Sequence, residues 1–178
     1  NTLTTTAGND IIIGGSAGDI IIAGAGTNTI IAAAGNNSIV TTSGNDGITA
    51  TSGNDIVNAG AGNNTVSIGN GTNAITVGDG VDILTTGSGD DIIIAGNGLN
   101  TIIAGAGVNT IISGTGNDII TSLGGNDIVH FGAGNNSADF GEGVNTIIAL
   151  GGNDIIIGGT GNDIYNLGDG NNAAVLDN

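Results

Sequence analysis

Apolar residues recur along this chain with a period of nine. Ile12, Ile21, Ile30, Ile39, Ile48 and Val57 open a column in which Ile, Val or Leu fills sixteen of nineteen successive units. Two residues before each column member stands Asp or Asn, without exception, and two residues earlier again stands Gly, with Ala17 the one departure. The unit is cleanest at 152–160, Gly-Asn-Asp-Ile-Ile-Ile-Gly-Gly-Thr, and copies begin at residue 8 and at every ninth residue to 170, with no insertion or deletion. Residues 1–7 fit the same repeat from its third position, with Asn1 in the polar column and Leu3 in the apolar one. A fixed short period of this kind specifies a solenoid, in which each unit stacks on its neighbours and no central core exists. The whole chain, 1–178, reads as one domain.

Within a unit, the fourth to seventh positions predict a short strand. The eighth to third, rich in Gly, Asn and Asp, predict a turn whose glycines supply positive φ. Alternation along a strand sends the fifth and seventh side chains one way and the fourth and sixth the other. The fifth column is the more uniformly apolar and is assigned inward. The seventh is small beside it (Gly14, Ala23, Ala32), so that two thin sheets can approach. Compensating volumes support the pairing, since Ala138 accompanies Phe140 and Ala174 accompanies Leu176. The predicted fold is therefore all-β, a parallel β-roll or β-solenoid with two nine-residue units per 18-residue coil, about ten coils long and uncapped.

Composition narrows the chemistry. Lys and Arg are absent against sixteen acids, for a formal charge of −16. A chain without one cationic side chain is no partner for phosphate, which removes nucleic acid. Without Cys there are no disulfides, and no 18-residue apolar run predicts membrane insertion. With one His and no nucleophile–base pair, phosphate loop or His/Cys cluster, the chain does not read as an enzyme. The charged partners it suits are cations.

The third column carries the pattern with most chemical content. It reads Asp10, Asp19, Asn28, Asn37, Asp46, Asp55, Asn64, Asn73, Asp82, Asp91, and then Asn100, Asn109, Asp118, Asp127, Asn136, Asn145, Asp154, Asp163, Asn172. Two acids alternate with two amides throughout, so the true period is 36 residues. Successive units turn at opposite edges of the roll, so Asp and Asn alternate coil by coil along either edge.

The run Gly158-Gly159-Thr160-Gly161-Asn162-Asp163-Ile164-Tyr165-Asn166 resembles the RTX nonapeptide, G-G-x-G-x-D-x-U-x, of calcium-binding parallel β-rolls. The resemblance covers the chain in phase and implies calcium as cofactor, held between stacked turns by turn carbonyls and an Asp from each turn. It makes Asp10, Asp19, Asp46, Asp55, Asp82, Asp91, Asp118, Asp127, Asp154 and Asp163 candidate metal ligands. Asn28, Asn37, Asn64, Asn73, Asn100, Asn109, Asn136 and Asn145 are then amide co-ligands. This chain departs from the family at every Asn, which has one oxygen and an NH₂ where Asp has two oxygens. An Asn can ligate on one side only, and its NH₂ suits donation to the next carboxylate. Calcium in every second gap would then alternate with amide–carboxylate hydrogen bonds, each site weak for want of a second carboxylate. A metal-free Asp/Asn ladder that keeps like charges apart explains the same alternation.

The outward columns hold Ile11 and Ile13, Ile20 and Ile22, Ile92 and Ile94, and Ile155 and Ile157, mixed with Thr and Ser. Flat exposed apolar faces of this kind predict an interface, here lateral pairing with another copy. The Thr positions (Thr29, Thr65 and Thr101, with Gly47 and Ile83 between) are too irregular to favour ice binding. The chain opens on Asn1 rather than Met, as in a processed or excised segment, and stops two residues short of five 36-residue units, so a following copy would keep the acid–amide phase. End-to-end polymerisation is the expectation, with each subunit adding ten coils, roughly 48 Å at sheet spacing. A secreted, extracellular structural protein stiffened by calcium follows. A calcium-binding secretion or spacer module of a larger exoprotein and an ice-binding protein are the alternatives. His130 is expected on the surface, Tyr165 in the inward column, and Asp79, Asp90, Glu142 and Asp169 in solvent.

Overall fold

The computed structural model describes residues 1–177; Asn178, expected as the ninth position of the last copy, lies outside the described residues. Twenty short strands run from Thr2–Thr4 to Ala173–Asp177, and each begins at the fourth position of its unit. β-Branched residues dominate those positions, where they fit a half-buried pleated surface. The strands of odd order form one ten-stranded sheet and those of even order another. Every pairing is parallel and joins residues 18 apart, as in Thr2↔Ile20 and Ile83↔Thr101, except where a bulge near the strand end shifts one pair to 17, as in Gly24↔Thr41 and Ala33↔Ala50. One coil therefore holds two units, and the expected all-β parallel solenoid of about ten coils is what the chain forms. The phase assigned to residues 1–7 holds as well, because Thr2–Thr4 pairs in register with Ile20, Ile21 and Ile22.

Between the sheets lies a continuous apolar rod. The fifth column is fully buried from Ile21 through Ile156, and the seventh adds Ala23, Ala32, Ala59 and Ala95. Two rings, Phe131 and Phe140, replace the small seventh-position residues near the C-terminal third, and Ala138 is buried two residues before Phe140 as volume compensation requires. Tyr165 packs partly buried against this rod, as expected, while His130 lies exposed on the outer face.

The turns are closed by the coil above rather than by themselves. The first-position N–H donates to a ninth-position carbonyl of the next coil, as in Gly26 to Ser43 at 2.8 Å and Gly116 to Ala133 at 2.9 Å. The fourth-position N–H returns to the third-position carbonyl of the coil before, as in Thr29 to Asp10 and Thr65 to Asp46, both 2.8 Å. Paired backbone groups in irregular segments remove the desolvation cost that turns would otherwise carry.

One residue breaks the turn chemistry. Ala33 sits at the eighth position with φ +60, where Gly24, Gly60 and Gly96 take φ +61, +62 and +67. A Cβ in the left-handed region costs about 1–2 kcal/mol. Ala33→Gly is therefore expected to stabilise the roll by about 1 kcal/mol, part of the relief being offset by glycine's freedom in the unfolded chain. A rise in melting temperature of about 2–4 °C would register it, and a fall would show that the Ala33 methyl packs usefully.

Candidate metal-binding turns

Strand alternation does not stop where the strand does. The third-column side chains point inward, in line with the fifth and seventh. Asp19, Asp46, Asp55, Asp82, Asp91, Asp118, Asp127 and Asp154 are at most 2% exposed, as are Asn28, Asn37, Asn64, Asn73, Asn100, Asn109, Asn136 and Asn145. Asp10 and Asp163, in the outermost coils, are half-buried. Edge location was expected for this column, whereas enclosure within the roll was not.

The column is stitched along each edge by one repeated bond. The side-chain Oδ1 of each member accepts the backbone N–H of the member one coil earlier. Asn28 N–H donates to Asp46 Oδ1 at 2.8 Å, Asp46 to Asn64 at 3.0 Å, Asn64 to Asp82 at 2.7 Å and Asp82 to Asn100 at 3.1 Å. The other edge repeats it through Asn37, Asp55, Asn73 and Asp91. Acid and amide thus alternate coil by coil on both edges, and every amide oxygen in the interior carries a backbone donor.

What remains on each side chain differs. The Asn NH₂ groups find acceptors at once. Those of Asn28, Asn37, Asn64, Asn73, Asn109 and Asn136 donate to the first-position Gly carbonyl of their own turn, at 2.8–3.3 Å. Three of them also reach the next carboxylate, Asn28 to Asp46, Asn37 to Asp55 and Asn136 to Asp154, each at 2.9 Å. Asn100 and Asn145 donate instead to the carbonyls of Ser113 and Gly158, both at 3.3 Å. The aspartates have nothing to donate. The Oδ2 atoms of Asp10, Asp19, Asp46, Asp55, Asp82, Asp91, Asp118 and Asp154 are enclosed and lack a hydrogen-bond partner. An unsatisfied buried oxygen is costly, and an unsatisfied buried charge far more so.

In several Asp turns Oδ2 faces the seventh-position residue five places earlier. Ser122 Oγ donates to Asp127 Oδ2 at 2.6 Å, and at Gly14 and Gly158 an added Cβ would meet Oδ2 of Asp19 and Asp163. Thr86 and Ser113 stand beside Asp91 and Asp118 and hold those carboxyls down somewhat, although neither hydroxyl makes a hydrogen bond of good geometry. All five seventh-position hydroxyls (Thr5, Thr41, Thr86, Ser113 and Ser122) precede an Asp, and none precedes an Asn. Phe131 and Phe140, by contrast, precede Asn136 and Asn145. That five-residue correspondence is visible only when two columns are compared together.

A second ladder runs outside the first. Second-position Oδ1 atoms accept the N–H of the residue 18 later, as in Asn54 to Asn36 and Asn63 to Asn45, both 2.8 Å, and Val108 to Asp90, also 2.8 Å. Its donor-to-acceptor direction is opposite to that of the inner column. Asp79 likewise accepts from Asn97 N–H and Nδ2, at 3.1 and 2.9 Å. Asp79 and Asp90, expected merely in solvent, are exposed struts of the turn.

Burial also shifts the protonation of three inner acids. Loss of solvent pushes the carboxyls of Asp82, Asp91 and Asp118 above the ordinary 3.8, and the hydrogen bonds from Asn64, Thr86 and Asn73, and Asn100 oppose it only in part. A raised folded-state value means that the folded chain holds these protons more tightly than the unfolded one. Their contribution to stability is thus complete below pH 3.8 and is lost as pH rises through the raised values. Metal-stripped protein in metal-free buffer is expected to melt at a higher temperature near pH 4 than at pH 7. With millimolar calcium the order should invert, because protons then compete with the ion. Melting curves independent of pH in both buffers would contradict the burial argument.

The donor set fits a hard cation. It consists only of oxygens, namely a buried carboxylate Oδ2, turn carbonyls and in five turns a hydroxyl. Among the described residues no three His, Cys, Asp or Glu side chains come together. Carbonyls must therefore supply most of the six to eight oxygens that calcium takes, and one carboxylate per turn implies modest affinity.

Two parallel sheets wound from a glycine-turned nonapeptide, with an oxygen-lined acid column buried at the turns, define a calcium-type β-roll. The chain belongs to the RTX calcium-binding nonapeptide repeat family. Five successive segments, residues 1–30, 31–66, 67–102, 103–138 and 141–173, match that family's four-copy model. Calcium is the cofactor of these repeats. No curated protein and no solved structure matched the chain.

Proposed function

We propose that this chain is a secreted structural roll that assembles with further copies of itself into an extracellular filament or matrix, with calcium at the Asp turns stiffening each coil. RTX repeats are a calcium-binding, structural class rather than a catalytic one. The observation that carries the assembly reading is the outer surface. Ile11 and Ile13 are 77% and 65% exposed, and Ile20, Ile56, Ile92, Ile119, Ile155 and Ile164 continue the outward apolar rows. Both faces are nearly free of charge, since only His130 and Asp139 interrupt the sixth column between residues 121 and 157. Broad apolar faces of this kind favour lateral pairing. Millimolar calcium outside cells matches sites with one carboxylate each.

A second reading has its own support. The family match spans residues 1–138 and 141–173, as befits a calcium-binding spacer of a larger exoprotein. Electron microscopy of the purified chain with millimolar calcium separates the two. Long fibres, with an axial repeat of roughly 48 Å if copies add ten coils each, support assembly. Short isolated rolls under the same conditions leave the spacer.

A further inference from the structure

We infer that the roll takes up calcium at alternate turns along each edge only, because in six of the eight interior Asn turns the side-chain NH₂ already donates to the turn carbonyl a cation would need, and in the other two it is held by a carbonyl of the next coil. This rests on the calcium reading of the family and assigns, turn by turn, which residues bind and which exclude the ion.

The two turn types differ by one chemical step. In the Asn64 turn the NH₂ group donates to Gly62 O at 2.9 Å and to Gly60 O at 3.3 Å. In the Asn73 turn it donates to Gly71 O and Gly69 O at 3.1 and 3.2 Å, and Asn109 repeats the pattern with Gly107 O and Gly105 O at 3.3 Å. These carbonyls, two and four residues before the column member, are the oxygens that a cation between turn and column would need. The amide supplies them with two N–H donors and no charge. In the neighbouring Asp turns the side chain has no proton to give those carbonyls, and its Oδ2 is itself buried without a partner at Asp55, Asp82, Asp91 and Asp118. One turn is a closed hydrogen-bonded unit, while the next keeps a buried carboxylate oxygen with no donor or cation on it.

The asymmetry extends to the seventh position. The hydroxyl-bearing Thr41, Thr86, Ser113 and Ser122 all stand five residues before an Asp, and Ser122 Oγ bonds Asp127 directly, whereas Asn136 and Asn145 follow the buried rings of Phe131 and Phe140. A ring there adds no oxygen and fills the space that a ligand would use. Asn Oδ1, the one amide oxygen free to ligate, is held by the backbone N–H of the previous coil, as in Asp46 to Asn64 at 3.0 Å. Asn28, Asn37, Asn64, Asn73, Asn100, Asn109, Asn136 and Asn145 are thereby spacers between ions, and the column's ten aspartates set the ceiling on stoichiometry.

The test counts ions. Equilibrium dialysis of the full chain against saturating calcium chloride, with metal analysis of the protein, is expected to give no more than ten ions per chain, one for each column aspartate. Asn64→Asp and Asn73→Asp, on opposite edges, should each add one ion and lower the melting temperature in metal-free buffer. Asp82→Asn should remove one ion and raise the metal-free melting temperature. Circular dichroism in calcium confirms that each variant is folded before its ions are counted. Asn64→Ala, which deletes the donor without adding a carboxylate, should destabilise the roll with or without calcium and leave the count unchanged. A count near nineteen for the unaltered chain overturns the inference while leaving calcium binding intact. So does an unchanged count in folded Asn64→Asp and Asn73→Asp. Failure of the unaltered chain to take up any calcium overturns the underlying calcium reading as well.

Discussion

Moving the chain from millimolar calcium into metal-free buffer at neutral pH should lower its melting temperature by about 20 °C or more, if it folds there at all. An ion that binds only the folded state at tenfold excess over Kd stabilises by about 1.4 kcal/mol. Summed over the ten column aspartates, that is on the order of 10 kcal/mol, comparable with the entire stability of a typical domain. The physical cause is the row of buried Oδ2 atoms at Asp19, Asp46, Asp55, Asp82, Asp91, Asp118 and Asp154. Without a calcium ion these oxygens stay enclosed with no partner, and at Asp82, Asp91 and Asp118 burial pushes the carboxyl above its ordinary range. Asp19 differs, since the Asn1 ammonium at 2.9 Å from its Oδ1 holds its carboxyl below that range. Thermal melts followed by circular dichroism, with and without calcium, would measure the difference. A shift of only a few degrees would mean that the Asp/Asn ladder is stable by itself.

The second large effect is expected from a methyl group. Gly116 holds φ +135, and a Cβ added there would collide with the carbonyl of Gly98 in the coil beneath. Backbone strain of this kind costs about 1–3 kcal/mol, and the collision must in addition push two stacked coils apart. Gly116→Ala is therefore expected to destabilise by about 3 kcal/mol or more and to loosen the turns of Asp118 and its neighbours. Gly47 is the contrasting case. It lies on an outer strand face, where an added Cβ would approach nothing closer than Asn28 O at 4.0 Å. Gly47→Ala should be neutral or stabilising by about 0.5 kcal/mol. Equal melting temperatures for the two variants would refute the role assigned to turn stacking.

Much of this architecture is legible from spacing alone, because a nine-residue period leaves one way for Ile12, Ile21 and Ile30 to share a core. The acid–amide order at Asp46, Asn64 and Asp82 also predicts which side chains meet, since 18 residues make one coil. The inward direction of those side chains was harder to read. Alternation was followed from the fourth position to the seventh, where strand residues lie, yet Asp19 already obeys it one residue before its strand begins. The backbone there is held extended by the N–H bond from Asp19 to Asn37 Oδ1, which no local propensity encodes. The outer row of Asn45, Asn54 and Asn63 read as ordinary turn composition. Only stacking shows that each caps the backbone one coil on. The hydroxyls at Thr41, Thr86 and Ser122 could have been found by comparing columns two at a time rather than one, because each stands five residues ahead of an acid.

Apart from single bulged pairs, the strand pairing of the roll joins residues 18 apart in sequence. In mechanical terms the molecule is a wound spool. A pull on one end peels the outermost coil without disturbing those beneath, and each release frees about 60 Å of contour. The resisting force is set by one coil at a time, so the chain would pay out at a near-constant tension instead of failing at a single peak. Where a turn carries its ion, the coil holds harder. The external calcium concentration then becomes the brake on the spool, adjustable without any change in the chain.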